Sequence, residues 1–142
     1  MNTTASRPAW SVAAVLIGRL IFTLLFVMAV TFKLVDIDGT AGQIAAAGFP
    51  LAGVLVWLAV IFELALIVAL ATGAYFREAA LLAAAYVVFL GFAFHGPSRW
   101  AENQNELGFF IDHFTFFAGL LFAAAYGPGK LAIDRSLLRR SA

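Results

Sequence analysis

Of the 142 residues, 63% are hydrophobic and only 12% are charged, against roughly half and a quarter in a soluble domain, so lipid is the expected solvent. The net charge of +1, with no basic block longer than the pair Arg139 and Arg140, excludes a nucleic-acid role. No cysteine is present, which excludes disulfides, thiolate metal sites, iron–sulfur clusters and thiol redox chemistry, so any redox work requires a cofactor or a partner.

The first ten residues are polar, with Arg7, and the apolar run behind them ends without a small-residue cleavage pattern. It reads as a retained first span rather than a signal peptide. Four segments, about 11–32, 51–73, 79–95 and 107–126, are long enough to cross a hydrocarbon core of roughly 30 Å. Their short connections predict an all-α antiparallel four-helix transmembrane bundle, one membrane domain over 1–142 with a tail at 127–142.

Between the first two spans, Thr40 is expected to cap a short helix lying along the membrane surface and running through Ala47. Gly48 ends it, and Phe49-Pro50 restarts the chain. In the third span Ala79 with Ala83 and Ala80 with Ala84 recur at four-residue spacing, which lets helix backbones approach closely in lipid. Arg7, Arg77, Lys130, Arg135, Arg139 and Arg140 fall on one side of these spans, whereas the other side has only Lys33 and Arg99, beside Asp36, Asp38, Glu102 and Glu106. Both termini are therefore expected in the cytoplasm. Trp10, Tyr75 and Tyr126 would mark the inner boundary and Trp100 the outer one.

Glu63 stands in the middle of the second span, where a charged side chain costs roughly 2.5 to 3.5 kcal/mol on insertion scales. It needs a partner. Counting rise from the helix ends places Glu63 about 18 Å below the outer boundary, with Arg19 of the first span and Tyr86 of the third at about the same depth. Depth thus nominates a buried ion pair between Arg19 and Glu63 with Tyr86 beside it, the guanidinium meeting the carboxylate through two parallel bonds. The trio reads either as a structural clamp or as a ligand- or proton-handling site. Arg19, Phe26 and Lys33 share a face at seven-residue spacing, so a polar line would lead outward, interrupted by Phe26.

A second group gathers at the outer end, where His95 closes the third span and Asp112 and His113 stand near the start of the fourth. Three readings stay open: hydrated structural residues, a site for a quinone or another polar-headed ligand, or a metal or haem. The spacing matches no metal motif, and the chain contains neither a phosphate-cradling glycine loop nor a nucleophile elbow. Four spans are too few for an inverted-repeat transporter, so transport would require a homo-oligomer.

Phe32-Lys33-Leu34 after an internal Arg19, Gly48-Phe49-Pro50, Glu63 and Gly73 followed by Arg77-Glu78-Ala79-Ala80, and the closing Gly127-Pro128-Gly129-Lys130-Leu131-Ala132-Ile133-Asp134 together resemble the DoxX family over nearly the whole chain. The resemblance implies a small four-span protein of the bacterial inner membrane. Family members include small membrane subunits associated with thiosulfate oxidation and quinone reduction, and one linked to an oxidoreductase complex handling oxidative and thiol stress. The leading expectation is a membrane subunit of a quinone-linked or stress-related redox complex, docking an oxidoreductase partner. Its quinone site would be lined by Arg19, Glu63, Tyr86, His95 and His113, with Lys33 and Asp112 nearby. The alternatives are a non-catalytic assembly or stress-tolerance factor held by an Arg–Glu clamp, and an oligomeric small-anion channel or carrier.

Overall fold

A computed structural model describes residues 8–101 and 103–133. Arg7, Glu102, Asp134, Arg135, Arg139 and Arg140 lie outside the described residues. The chain runs through α1 (Ala9–Val35), α2 (Ile37–Ala46), α3 (Ala52–Thr72), α4 (Phe76–His95), a 3₁₀ turn (Pro97–Arg99) and α5 (Gln104–Tyr126). The described residues contain no strand, and four of the helical segments are long and apolar enough to cross a membrane. This is the expected all-α four-span bundle. The start of α1 and the ends of α3 and α5 share its terminal end; α2 and the 3₁₀ turn share its loop end.

The first span is longer than the apolar run that suggested it. α1 has 27 residues because nothing in Phe32-Lys33-Leu34 breaks a helix; the break comes at Asp36, whose φ of −138° leaves helical geometry. That residue also starts α2. Its Oδ1 accepts from the Gly39 amide at 2.9 Å, so Asp36 is the cap expected of Thr40, whose hydroxyl instead donates to the Asp36 carbonyl at 2.9 Å. A carboxylate satisfies an orphan amide at a helix start and meets the positive end of the helix dipole. α2 closes at Ala46, near the expected end, and Gly48 follows with φ +90°.

In α3 the buried residues are Val56, Val60, Glu63, Leu66 and Leu70, at the three- and four-residue intervals of one helix face. Glu63 therefore lies in the packing stripe itself. In α4 the alanines Ala79, Ala80, Ala83 and Ala84 are all buried, as their spacing predicted. They let α4 approach α5, its most extensive neighbour, while α1 packs chiefly on α3 and α3 also touches α4. In lipid such contacts hold by close packing rather than by expulsion of water. Beyond α5 the chain folds back beneath the end of α3: Gly127 and Gly129 take φ of +90° and +79°, and the Ile133 amide donates to the Thr72 carbonyl at 3.0 Å.

Candidate functional site

The ion pair expected between Arg19 and Glu63 does not form. Arg19 is buried and donates to four backbone carbonyls instead. Nε reaches Leu70 at 3.2 Å, Nη2 reaches Ala71 at 2.6 Å, and Nη1 reaches Pro128 at 2.8 Å and Leu131 at 3.0 Å. Two of these are among the last carbonyls of α3, which carry the negative end of its dipole, and two belong to the returning tail. Direction explains the correction as much as depth does. Side chains lean towards the N-terminus of their own helix, so Arg19 on α1 leans to the terminal end while Glu63, on the oppositely running α3, leans to the loop end. At one depth the two point away from each other.

The same geometry selects Lys33. It lies about 21 Å further along α1 and leans back towards Glu63, which leans up to meet it, with Nζ 2.9 Å from Oε1. Tyr86 on α4 donates its hydroxyl to that same oxygen at 2.8 Å, so three helices converge on one carboxylate. The other oxygen, Oε2, has no hydrogen-bond partner among the described residues, although Glu63 is only 1% exposed. Phe62 packs edge-on to the Tyr86 ring at 5.1 Å between centroids.

At the loop end His95 and His113 do meet, their rings 5.2 Å apart between centroids. The carboxylate that joins them is not Asp112. Glu106 places Oε2 2.7 Å from His95 Nδ1, and the Trp100 indole donates to the His95 carbonyl at 2.9 Å. His113 Nδ1 lies 2.7 Å from the Phe109 carbonyl, and so carries the proton of that bond, leaving Nε2 as its acceptor. Asp112 is exposed because adjacent helical residues point about 100° apart. Glu106 and His113, seven residues apart, share the face towards α4. That spacing was the sequence signal for Glu106.

These two groups line a single cleft of about 980 Å³ between α1, α2 and α3 on one side and α4 and α5 on the other. Lys33 and Tyr86 are in its wall together with His95, Glu106 and His113. Between them the lining is largely aromatic and aliphatic, including Phe32, Phe49, Phe62, Phe89 and Phe94. Phe32 and Phe89 are exposed even as they line the cleft, so it is open rather than sealed. Such a space suits an apolar molecule whose polar head has an acceptor for Lys33 and a group that can exchange a proton with the imidazoles. Of the residues expected to line a quinone site, Arg19 and Glu63 are not in the cleft lining; Glu63 is buried behind Lys33 and Tyr86, which bond its Oε1.

Comparison with known proteins agrees with this architecture. The DoxX family model matches residues 14–96, more than half of the chain. Inner membrane protein YqjF of Escherichia coli is 32% identical over 89% of this chain and 93% of its own length. Inner membrane protein YphA of the same organism is 28% identical over 92% of each chain. No solved structure matches significantly. With four membrane-crossing helices, the matched core from Ala14 to Gly96 and two inner-membrane relatives aligned along nearly their whole length, the chain belongs to the DoxX family.

Proposed function

We propose that this membrane protein is a subunit of a redox system. It offers the cleft to a lipid-soluble quinone and docks an oxidoreductase partner that supplies the electrons. The observation that carries this reading is the shared cleft, which has a cation and a phenol at one end, two imidazoles at the other and aromatic walls between them. Reducing a quinone to a quinol takes two electrons and two protons. The partner provides the electrons, since the chain has no cysteine-based carrier. Lys33 and the Nε2–H of His95 each donate a hydrogen bond to one quinone oxygen, stabilising the charge that develops on reduction, and as His95 gives up that proton its Nδ1 takes one from Glu106. The whole chain acts as one membrane domain in the inner membrane, with both termini cytoplasmic and the cleft facing the periplasmic side.

The test is binding. A water-soluble short-chain quinone titrated into the purified protein in nanodiscs is expected to quench tryptophan fluorescence saturably, Trp100 being bonded to His95 beside the cleft. The variants Lys33→Met and His95→Leu should each weaken that binding about 5- to 30-fold, the equivalent of roughly 1 to 2 kcal/mol for a polar contact in lipid. Unsaturable quenching, identical in wild type and both variants, would refute the proposal.

A second reading has its own support. Lys33, Glu63 and Tyr86 join α1, α3 and α4 through one oxygen, which is what a clamp in a non-catalytic assembly or stress-tolerance factor requires. The clamp is then Lys–Glu rather than Arg–Glu.

A further inference from the structure

α1 and α5 touch lightly, and at Gly119 an added Cβ would lie 2.9 Å from the Phe22 ring. On the same face of α5, one to three turns nearer the loop end, stand Thr115, Asp112 and Gly108. All three are exposed, and a Cβ on Gly108 would meet nothing within 4 Å. Asp112 stands five residues, about 7 Å, inside the apolar part of α5 that begins at Leu107, and its side chain is too short to reach the headgroups as a lysine or arginine does. An exposed carboxylate inside an apolar span is unfavourable by a few kcal/mol against lipid. Asp112 is not in the cleft lining, although its charge is felt by the neighbouring His113.

We propose that this face of α5 docks a membrane-spanning helix of a partner protein that presents a lysine or arginine at the depth of Asp112. Charge complementarity chooses the occupant. A second copy related by a twofold axis would bring Asp112 against Asp112, two like charges in low dielectric, whereas an ammonium or guanidinium gives each charge a counter-ion away from water. Gly108 leaves room for the partner's backbone, and Thr115, whose hydroxyl is donated to Ile111 at 3.0 Å, keeps lone pairs for a further donor. The inference is independent of what the cleft binds.

The experiment uses the full-length protein in lipid bilayers with a fluorescent acceptor, and synthetic polyleucine transmembrane peptides carrying a donor. One peptide has a single lysine placed to match Asp112, a second has that lysine three turns deeper, and a third has none. Energy transfer is expected to show the matched peptide binding about 5- to 30-fold more tightly than the other two, the range of a polar interhelical contact in lipid. Asp112→Leu should remove that preference, with the unchanged helical circular dichroism of the variant showing that it folds. Equal binding of all three peptides, or a preference that survives Asp112→Leu, would overturn the proposal. So would Asp112-dependent self-association that excludes the matched peptide, because the second copy would then be the occupant.

Discussion

At the scale of single residues, the described residues include two buried charges that solve the same problem differently. Arg19 is satisfied by carbonyl dipoles, with the Phe76 ring 6.0 Å from its guanidinium carbon, whereas Glu63 has a cation and a phenol on one oxygen and no partner among the described residues on the other. Breaking a buried pair on one side strands the other charge at a cost of roughly 3 to 5 kcal/mol, while replacing both members by apolar groups is often nearly neutral. Glu63→Leu and Lys33→Leu are therefore each expected to destabilise the bundle by about that amount. The double variant should recover at least about 1 to 3 kcal/mol of their sum, read by unfolding from mild detergent into sodium dodecyl sulfate. If the double variant folds normally yet loses quinone binding, the clamp reading fails and the ligand reading stands. Glu63 was legible in the sequence as a residue that must have a partner. Its partner was not, because depth alone ignores the direction in which side chains lean, and Lys33 looked like a loop residue beyond the end of a span.

Helices are the scale at which the sequence spoke most clearly. The four apolar runs became α1, α3, α4 and α5, and the paired alanines of α4 became its buried face. What escaped was the junction. Polar Lys33 and Asp36 looked like a connection, but in the structure they are the last turn of α1 and the shared cap of α2. Arg19 ties α1 to the end of α3 and to the residues after α5, and its planar fork matters there because the four acceptors lie on separate segments. Arg19→Lys, with one point charge in place of the fork, is expected to keep the span inserted while losing about 1 to 3 kcal/mol of stability. Thermal unfolding in detergent should show the loss. Limited trypsin digestion should cut faster after Lys130, since the tail loses the bonds that hold Pro128 and Leu131. Unchanged digestion would mean that the glycine turns and the Ile133–Thr72 bond hold the tail without Arg19.

At the scale of the whole molecule, the cleft sits at the loop end and the tail at the other, so function depends on which end faces out. The absence of native cysteine makes this directly measurable. Gly42→Cys, on the exposed side of α2 with nothing within 4 Å of the new Cβ, and Lys130→Cys, exposed beyond α5, are expected to leave the fold intact. In whole cells with a permeabilised outer membrane, an impermeant maleimide should label position 42 and spare position 130. The reverse pattern would invert the topology and place the cleft on the cytoplasmic side. The cleft itself was only half legible. Tyr86, His95 and His113 were expected to line one site and do line one cleft with Lys33, but the loss of Arg19 and Glu63 from that lining and the entry of Glu106 follow from side-chain lean and helix phase, which a count of depth alone does not capture.

The socket of Arg19 also dictates an order of assembly. Two of its four acceptors lie 109 and 112 residues downstream, so at roughly 5 to 20 residues per second the ribosome needs about 5 to 20 seconds after making Arg19 to supply them. Throughout that interval the first helix holds a guanidinium whose docking place is incomplete. Arg19 thus ties closure of the bundle to the synthesis of Leu131, and a nascent chain that stops short of that residue carries a guanidinium with an incomplete set of acceptors.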